Sequence, residues 1–218
     1  MQGSIRPLDN TILELLKSEI SPKASELLNL ITNNHTVRFM DYRTNPNRAA
    51  TAYTEKLGAI YYMWLDPDED EIADTFVHEI GQIYTHTLGY RREAEGRSWR
   101  GRRGDAAREL AGMIVNAFRG AITERNLQRY GIDRSHYRQR RHQAFEEYLN
   151  HLPNGGIIER DAISSLLGRT RLCYEYNYSR LILLEEFGNL EKLWTEKVSS
   201  EKVKKDAMKF LKWHRKWS

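Results

Sequence analysis

Four residues in the first half of this 218-residue chain have the types and spacing for hydrolytic chemistry. They lie in TFVHEIGQIYTH, residues 75–86: His78, Glu79, Gln82 and His86. Positions four apart on a helix stand one above the other, roughly 5–6 Å apart at their Cβ atoms. Two imidazoles so placed grip one zinc ion, and a glutamate between them faces the water that the metal carries. Zinc lowers the pKa of that water towards ~7, and the glutamate takes its proton. His78 stands at the first ligand position and Glu79 at that of the general base. Gln82 occupies the second ligand position, where its neutral amide oxygen is a poorer donor than imidazole. Its bland role is a hydrogen bond to His78 in a cleft that holds no ion. His86 lies two turns beyond His78, about 12 Å along the axis, so a regular helix cannot bring both to one ion. It also suits a surface histidine near a helix end, where positive charge is favoured.

The elements around this stretch must position it. Ile72, Phe76, Val77, Ile80 and Ile83 fall at helical spacing and predict a helix to about Leu88, closed by Gly89. The acidic run DEDE at 68–71 precedes it, where a helix N-terminus favours negative charge. Upstream, RAATAYT (48–54) and AIYYMWL (59–65) flank EKLG and read as a hairpin, with VRFMDY (37–42) as a further strand. Residues 8–20 read as a helix, and Ser21-Pro22 caps and opens a second one. Downstream, the arginine-rich stretch 91–103 reads as a loop. Helical patterns then cover 105–127, 133–151, 158–168, 171–188 and a tail over 189–217. Helices, a small antiparallel sheet, then helices define an α+β fold. The organisation expected is a core over 1–130 and a helical extension over 131–218 packed on it.

The strand AIYYMWLDP running into an acidic-capped helix, HEIG at the centre of that helix, and ARELAGMIVNAF opening a second helix about thirty residues later together resemble the core of a gluzincin-type metallopeptidase. The match is closest to the ImmA/IrrE-type family and covers perhaps a third of the chain. The resemblance implies a zincin-like core. It implies a glutamate ligand from the second helix, followed by apolar residues at +1, +4, +5 and +8. Glu109 fits, with Leu110, Met113, Ile114 and Ala117 behind it, and Asp105 is the alternative. The implied metal set is His78, Gln82 and Glu109 around zinc, with Glu79 as base and Asp105 or His86 as alternative ligands or as groups behind the ligands. Gln82 departs from the family's histidine. Two functions follow: an active zinc endopeptidase, or a degenerate member that holds a peptide or protein partner in the same cleft as a regulatory module. In either, strand 59–65, taken as a sheet edge, accepts an extended peptide.

A net charge of +4 and a pI of 9.1 leave a third reading open. Arg91, Arg92, Arg97, Arg100, Arg102 and Arg103 rim the expected cleft, and four further arginines fall in 134–142. Both segments suit nucleic acid, whose backbone is recognised by such groups. The single cysteine, Cys173, excludes an internal disulfide and any cysteine zinc cluster, and points to a reducing, cytoplasmic location. No apolar run approaches the ~18 residues of a membrane helix.

Overall fold

The computed structural model describes residues 5–45, 52–90, 101–152 and 162–217; for 101–111, 113, 114, 117, 162–166, 184, 185, 210, 211 and 213–217 it describes the backbone alone. The fold is α+β: mostly helical, with one three-stranded sheet among the described residues. Contacts divide the chain into two compact units, Met1–Tyr90 with Asn126–Asp133, and Arg91–Arg125 with Arg134–Ser218.

In the first unit, α1 (Asn10–Glu19) and α2 (Pro22–Asn34) precede the sheet. Ser21 accepts the Ala24 N–H at 3.2 Å, with Pro22 in the first turn, as the sequence pattern implied. The strands are β1 (Thr36–Asp41), β2 (Ala52–Leu57) and β3 (Ile60–Leu65). Two expectations are corrected here. The sheet is mixed, because β1 runs parallel to β3 while β2 is antiparallel to it. The strand order β1-β3-β2 places β3 at the centre, so residues 59–65 are not a sheet edge; β2 is. The hairpin itself is tighter than read, because Glu55, Lys56 and Leu57 extend β2 and the turn is Gly58-Ala59. Gly58, at φ +60°, supplies the left-handed first position that such two-residue turns favour. Residues 48–51, read as the start of that strand, lie outside the described residues. Beyond β1, Leu8 N–H bonds the Phe39 carbonyl and Asp41 N–H the Arg6 carbonyl, both at 3.0 Å.

Helix α3 (Ile72–Thr87) carries the candidate stretch. Its Phe76, Val77, Ile80 and Ile83 form one core with Tyr61, Met63 and Leu65 of β3 and Leu27, Leu28 and Ile31 of α2. Burial of each such aliphatic side chain stabilises by roughly 1.5–3 kcal/mol before entropy is charged. The other sheet face carries Met40, Tyr42 and Trp64, with Tyr53 stacked on Trp64. Helix α4 (Gly101–Tyr130) ends in this unit, where Asn126 donates to Thr85 Oγ1 at 3.2 Å and Tyr130 meets Tyr84 edge to face. Since α4 begins at Gly101, residues 101–103 are helical and not part of a loop.

The second unit holds the rest of α4 together with α5 (Ser135–Asn150), α6 (Ala162–Leu183), α7 (Gly188–Lys197) and α8 (Glu201–Trp217). Phe145, Leu149, Leu172, Tyr176, Phe187, Trp194, Val203 and Ala207 are among its core. The two helices read over 158–188 are one within 162–183, because Gly168 alone does not break it. The single tail is two helices, parted at Val198–Ser200.

Candidate functional site

On α3 the pattern HEIGQ is laid out as a regular helix. Phe76, Glu79 and Ile83 fall at steps of three and four on the inward side, so the carboxylate of Glu79 is carried into the core face and is 3% exposed. It does not go unbonded. Thr54 of β2 donates its hydroxyl to Glu79 Oε2 at 2.6 Å, and Gln82 donates its side-chain amide to Glu79 Oε1 at 3.2 Å. Both oxygens of the candidate base therefore accept from protein groups. Gln82 bonds Glu79, not His78 as its bland reading had it. His78 is half-buried.

His86, eight residues on, stays two turns away. Its Nδ1 lies 2.8 Å from the hydroxyl of Tyr61, a buried residue of β3, and the two rings meet edge to face at 5.5 Å. His35, the residue that ends α2, packs on the same tyrosine from 5.5 Å, and Lys56 stands 5.0 Å above that ring. His86 is thus part of a packed histidine–tyrosine group.

The zinc expectation can be tested against these donors. A catalytic zinc takes three protein ligands plus water. Among the described residues, His78 belongs to no group of three or more His, Cys, Asp and Glu side chains close enough to share an ion. Gln82 turns its amide nitrogen to Glu79, which leaves its neutral amide oxygen, a poorer donor than imidazole, as its one ligand atom. Among the described side chains the expected set offers one imidazole and one neutral amide, and no chemical step is derived through an ion. Glu109 and Asp105 lie on α4 in the second unit, and their side chains are outside the described ones.

The arginine segments separate in the same way. Arg91, Arg92, Arg97 and Arg100 lie outside the described residues, and for Arg102 and Arg103 only the helical backbone is described. In 134–142, Arg134, Arg138 and Arg141 hold carboxylates. Arg134 pairs with Glu124 at 2.9 Å, the two side chains 1% and 4% exposed; Arg138 pairs with Glu186 at 3.5 Å; Arg141 pairs with Glu175 and donates to Ser179. Arg134 also lies over the Tyr137 ring and Arg141 over that of Tyr178, whose hydroxyls are 2.7 Å apart. Arg134 and Arg141 serve the interior of the unit, although in sequence the segment reads as an exposed basic patch. The residues that sequence reasoning passed over are Thr54, Tyr61 and His35. Thr54 was within reach, as a polar residue on the inward alternation of β2. The other two become visible only when α2 and α3 end beside one strand.

Compared with known proteins, the chain matches no family model, no curated protein and no solved structure. No helix among the described residues is long and apolar enough to cross a membrane.

Proposed function

We propose that this chain is a zincin-like protein that holds an extended protein segment along β2 and does not cut it. The observation that carries the reading is the hydrogen-bond chain from Thr54 through Glu79 to Gln82. A general base must reach the proton it removes. Glu79 is buried and spends its two oxygens on a neighbouring strand and on the residue that stands where a second histidine would. The same contact supports the binding half of the proposal. It ties β2 to α3, and β2 is an edge strand of the sheet, with one edge unpaired among the described residues. Such an edge offers backbone N–H and C=O groups to an incoming strand.

The test combines three measurements on the full chain. Elemental analysis is expected to show far less than one zinc per chain. Incubation with an unfolded protein substrate is expected to give no cleavage, in the wild type or in Glu79→Gln. Hydrogen exchange in the presence of immobilisation-selected extended peptides is expected to slow at 52–57 and nowhere else in the sheet. Stoichiometric zinc, with proteolysis that Glu79→Gln abolishes, would replace this reading with that of an active endopeptidase.

A further inference from the structure

Helix α8 concentrates the charge of the chain. Its 17 residues hold seven basic and two acidic side chains, a net of +5, so the other 201 residues, with 27 basic and 28 acidic, carry −1 of the total +4. The placement is as uneven as the count. Lys202, Lys205, Lys209 and Lys212 recur at steps of three, four and three, which confines them to an arc of about 80° on a helix of 3.6 residues per turn. The sequence repeats the next step of four at Lys216. All four are exposed, Lys209 with 77% of its side chain. Lys209 has one partner, Asp206 at 3.3 Å, itself half exposed; Lys202, Lys205 and Lys212 make no ion pair with a described residue. Like charges at these spacings repel, by a few tenths of a kcal/mol per pair.

The opposite side of α8 decides between polyanions. Val203 and Ala207 are fully buried in the core of the second unit, the Val203 carbonyl accepts from the Cys173 thiol at 3.6 Å, and Met208 takes a contact from the Tyr176 hydroxyl at 3.9 Å. An amphipathic helix binds a membrane by burying its apolar face in the lipid. Here Val203 and Ala207 already hold that face in the core, Met208 remains 43% exposed, and the exposed positive charge among the described side chains of α8 is the lysine row.

We propose that the lysine face of α8 binds the phosphate backbone of nucleic acid without reading its sequence. The row from Lys202 to Lys212 spans about 15 Å, and a duplex presents one charge per ~1.7 Å along its axis. Lysine is a point charge without the planar fork of arginine that reads guanine edges, so the face suits phosphates and not bases. This inference stands apart from the peptide reading, because it rests on another unit and another surface.

The experiment titrates the full chain into a fluorescein-labelled DNA duplex of mixed sequence, and into one with the same bases permuted, between about 50 and 200 mM KCl. Both duplexes are expected to bind equally, with log K falling against log salt at a slope of about −3.6 for four phosphates neutralised. The combined variant Lys202→Gln, Lys205→Gln, Lys209→Gln, Lys212→Gln, with circular dichroism unchanged, is expected to lose at least tenfold in affinity at the lowest salt and to flatten the slope. The same four positions changed to arginine are expected to keep both. A parallel arm uses vesicles of phosphatidylcholine with phosphatidylserine, which the chain is expected to leave in free suspension. The proposal is overturned by absence of DNA binding, by DNA binding that the glutamine variant retains in full, or by lysine-dependent capture on vesicles in place of DNA.

Discussion

Glu79 is a buried carboxylate with both oxygens engaged by protein donors. A buried carboxylate is tolerated only with its hydrogen bonds made, and leaving one unmade costs about 1–3 kcal/mol. Thr54→Val keeps the shape of the side chain and removes the donor to Glu79 Oε2. It is expected to destabilise the protein by that amount in urea unfolding. Unchanged stability would mean that the carboxylate finds another donor and that the tie between β2 and α3 is dispensable. The replacement Gln82→His removes the amide from Glu79 Oε1 and places a second imidazole at the four-residue spacing. It is expected to bind zinc more tightly than the wild type in competition with a chromogenic chelator; equal affinity would mean that the remaining ligands are not in place. Cys173 illustrates the opposite case, a reactive group kept inert. Burial first, and Asp206 second, push its thiol up to about 12. Native protein is expected to resist thiol-disulfide reagents at pH ~8.5, the ordinary thiol value, and to react fully once unfolded.

At the scale of elements, close approach of α4 and α6 in the second unit depends on one small residue. A Cβ at Gly120 would stand 2.8 Å from the hydroxyl oxygen of Tyr178. That ring cannot swing aside, because Tyr174 stacks on it, Arg141 lies over it and its hydroxyl bonds Tyr137. Gly120→Ala is therefore expected to cost about 1–3 kcal/mol despite the helix propensity that alanine gains, and differential scanning calorimetry would show a lower Tm; a raised Tm would mean the helices simply separate at no cost. Most elements around α3 were legible before any coordinates. The Ser21-Pro22 cap, the apolar stripe of α3 and the acidic run before it are local signals, set by neighbours three or four residues apart. The inward side of Glu79 was legible by the same spacing, since it falls between Phe76 and Ile83. Strand order was not. Whether residues 60–65 lie at the centre or edge depends on β1 pairing in parallel with them, a contact between segments joined only through β2, and alternation along one strand carries no record of its neighbours. The arginines of 134–142 misled for a related reason. Their carboxylate partners Glu124, Glu175 and Glu186 come from three other places in the chain.

For the molecule as a whole, the two units differ in what they bury. The first has a mostly aliphatic core around α3 with Tyr61 and Phe76 in it, whereas the second gathers phenols: Tyr137, Tyr148, Tyr174, Tyr176 and Tyr178 all titrate above the ordinary tyrosine value, in each case chiefly because burial disfavours the phenolate. For Tyr148 and Tyr176 the value is pushed to about 12. The consequence for stability has a definite sign. Above the unfolded phenol pKa of about 10 the unfolded chain releases these protons while the folded chain keeps them, so the folded state binds more protons and its stability falls as pH rises. The contribution is intact below pH ~10 and is lost as pH climbs through the folded values, with a slope of at most about 1.4 kcal/mol per pH unit for each fully retained proton. Tyr137 and Tyr178, whose hydroxyls bond each other and whose titration burial raises well above the ordinary value, are expected to dominate. Urea midpoints measured from neutral pH upward are expected to stay level to about pH 9 and then drop, with tyrosine ionisation absorbance rising at the unfolding transition and not ahead of it. Tyr178→Phe removes one of the two phenols and should make that alkaline slope shallower. A midpoint that holds constant well above pH 10, or phenols that ionise freely in the folded protein, would show that water reaches the centre of the second unit and that its aromatic network is not closed.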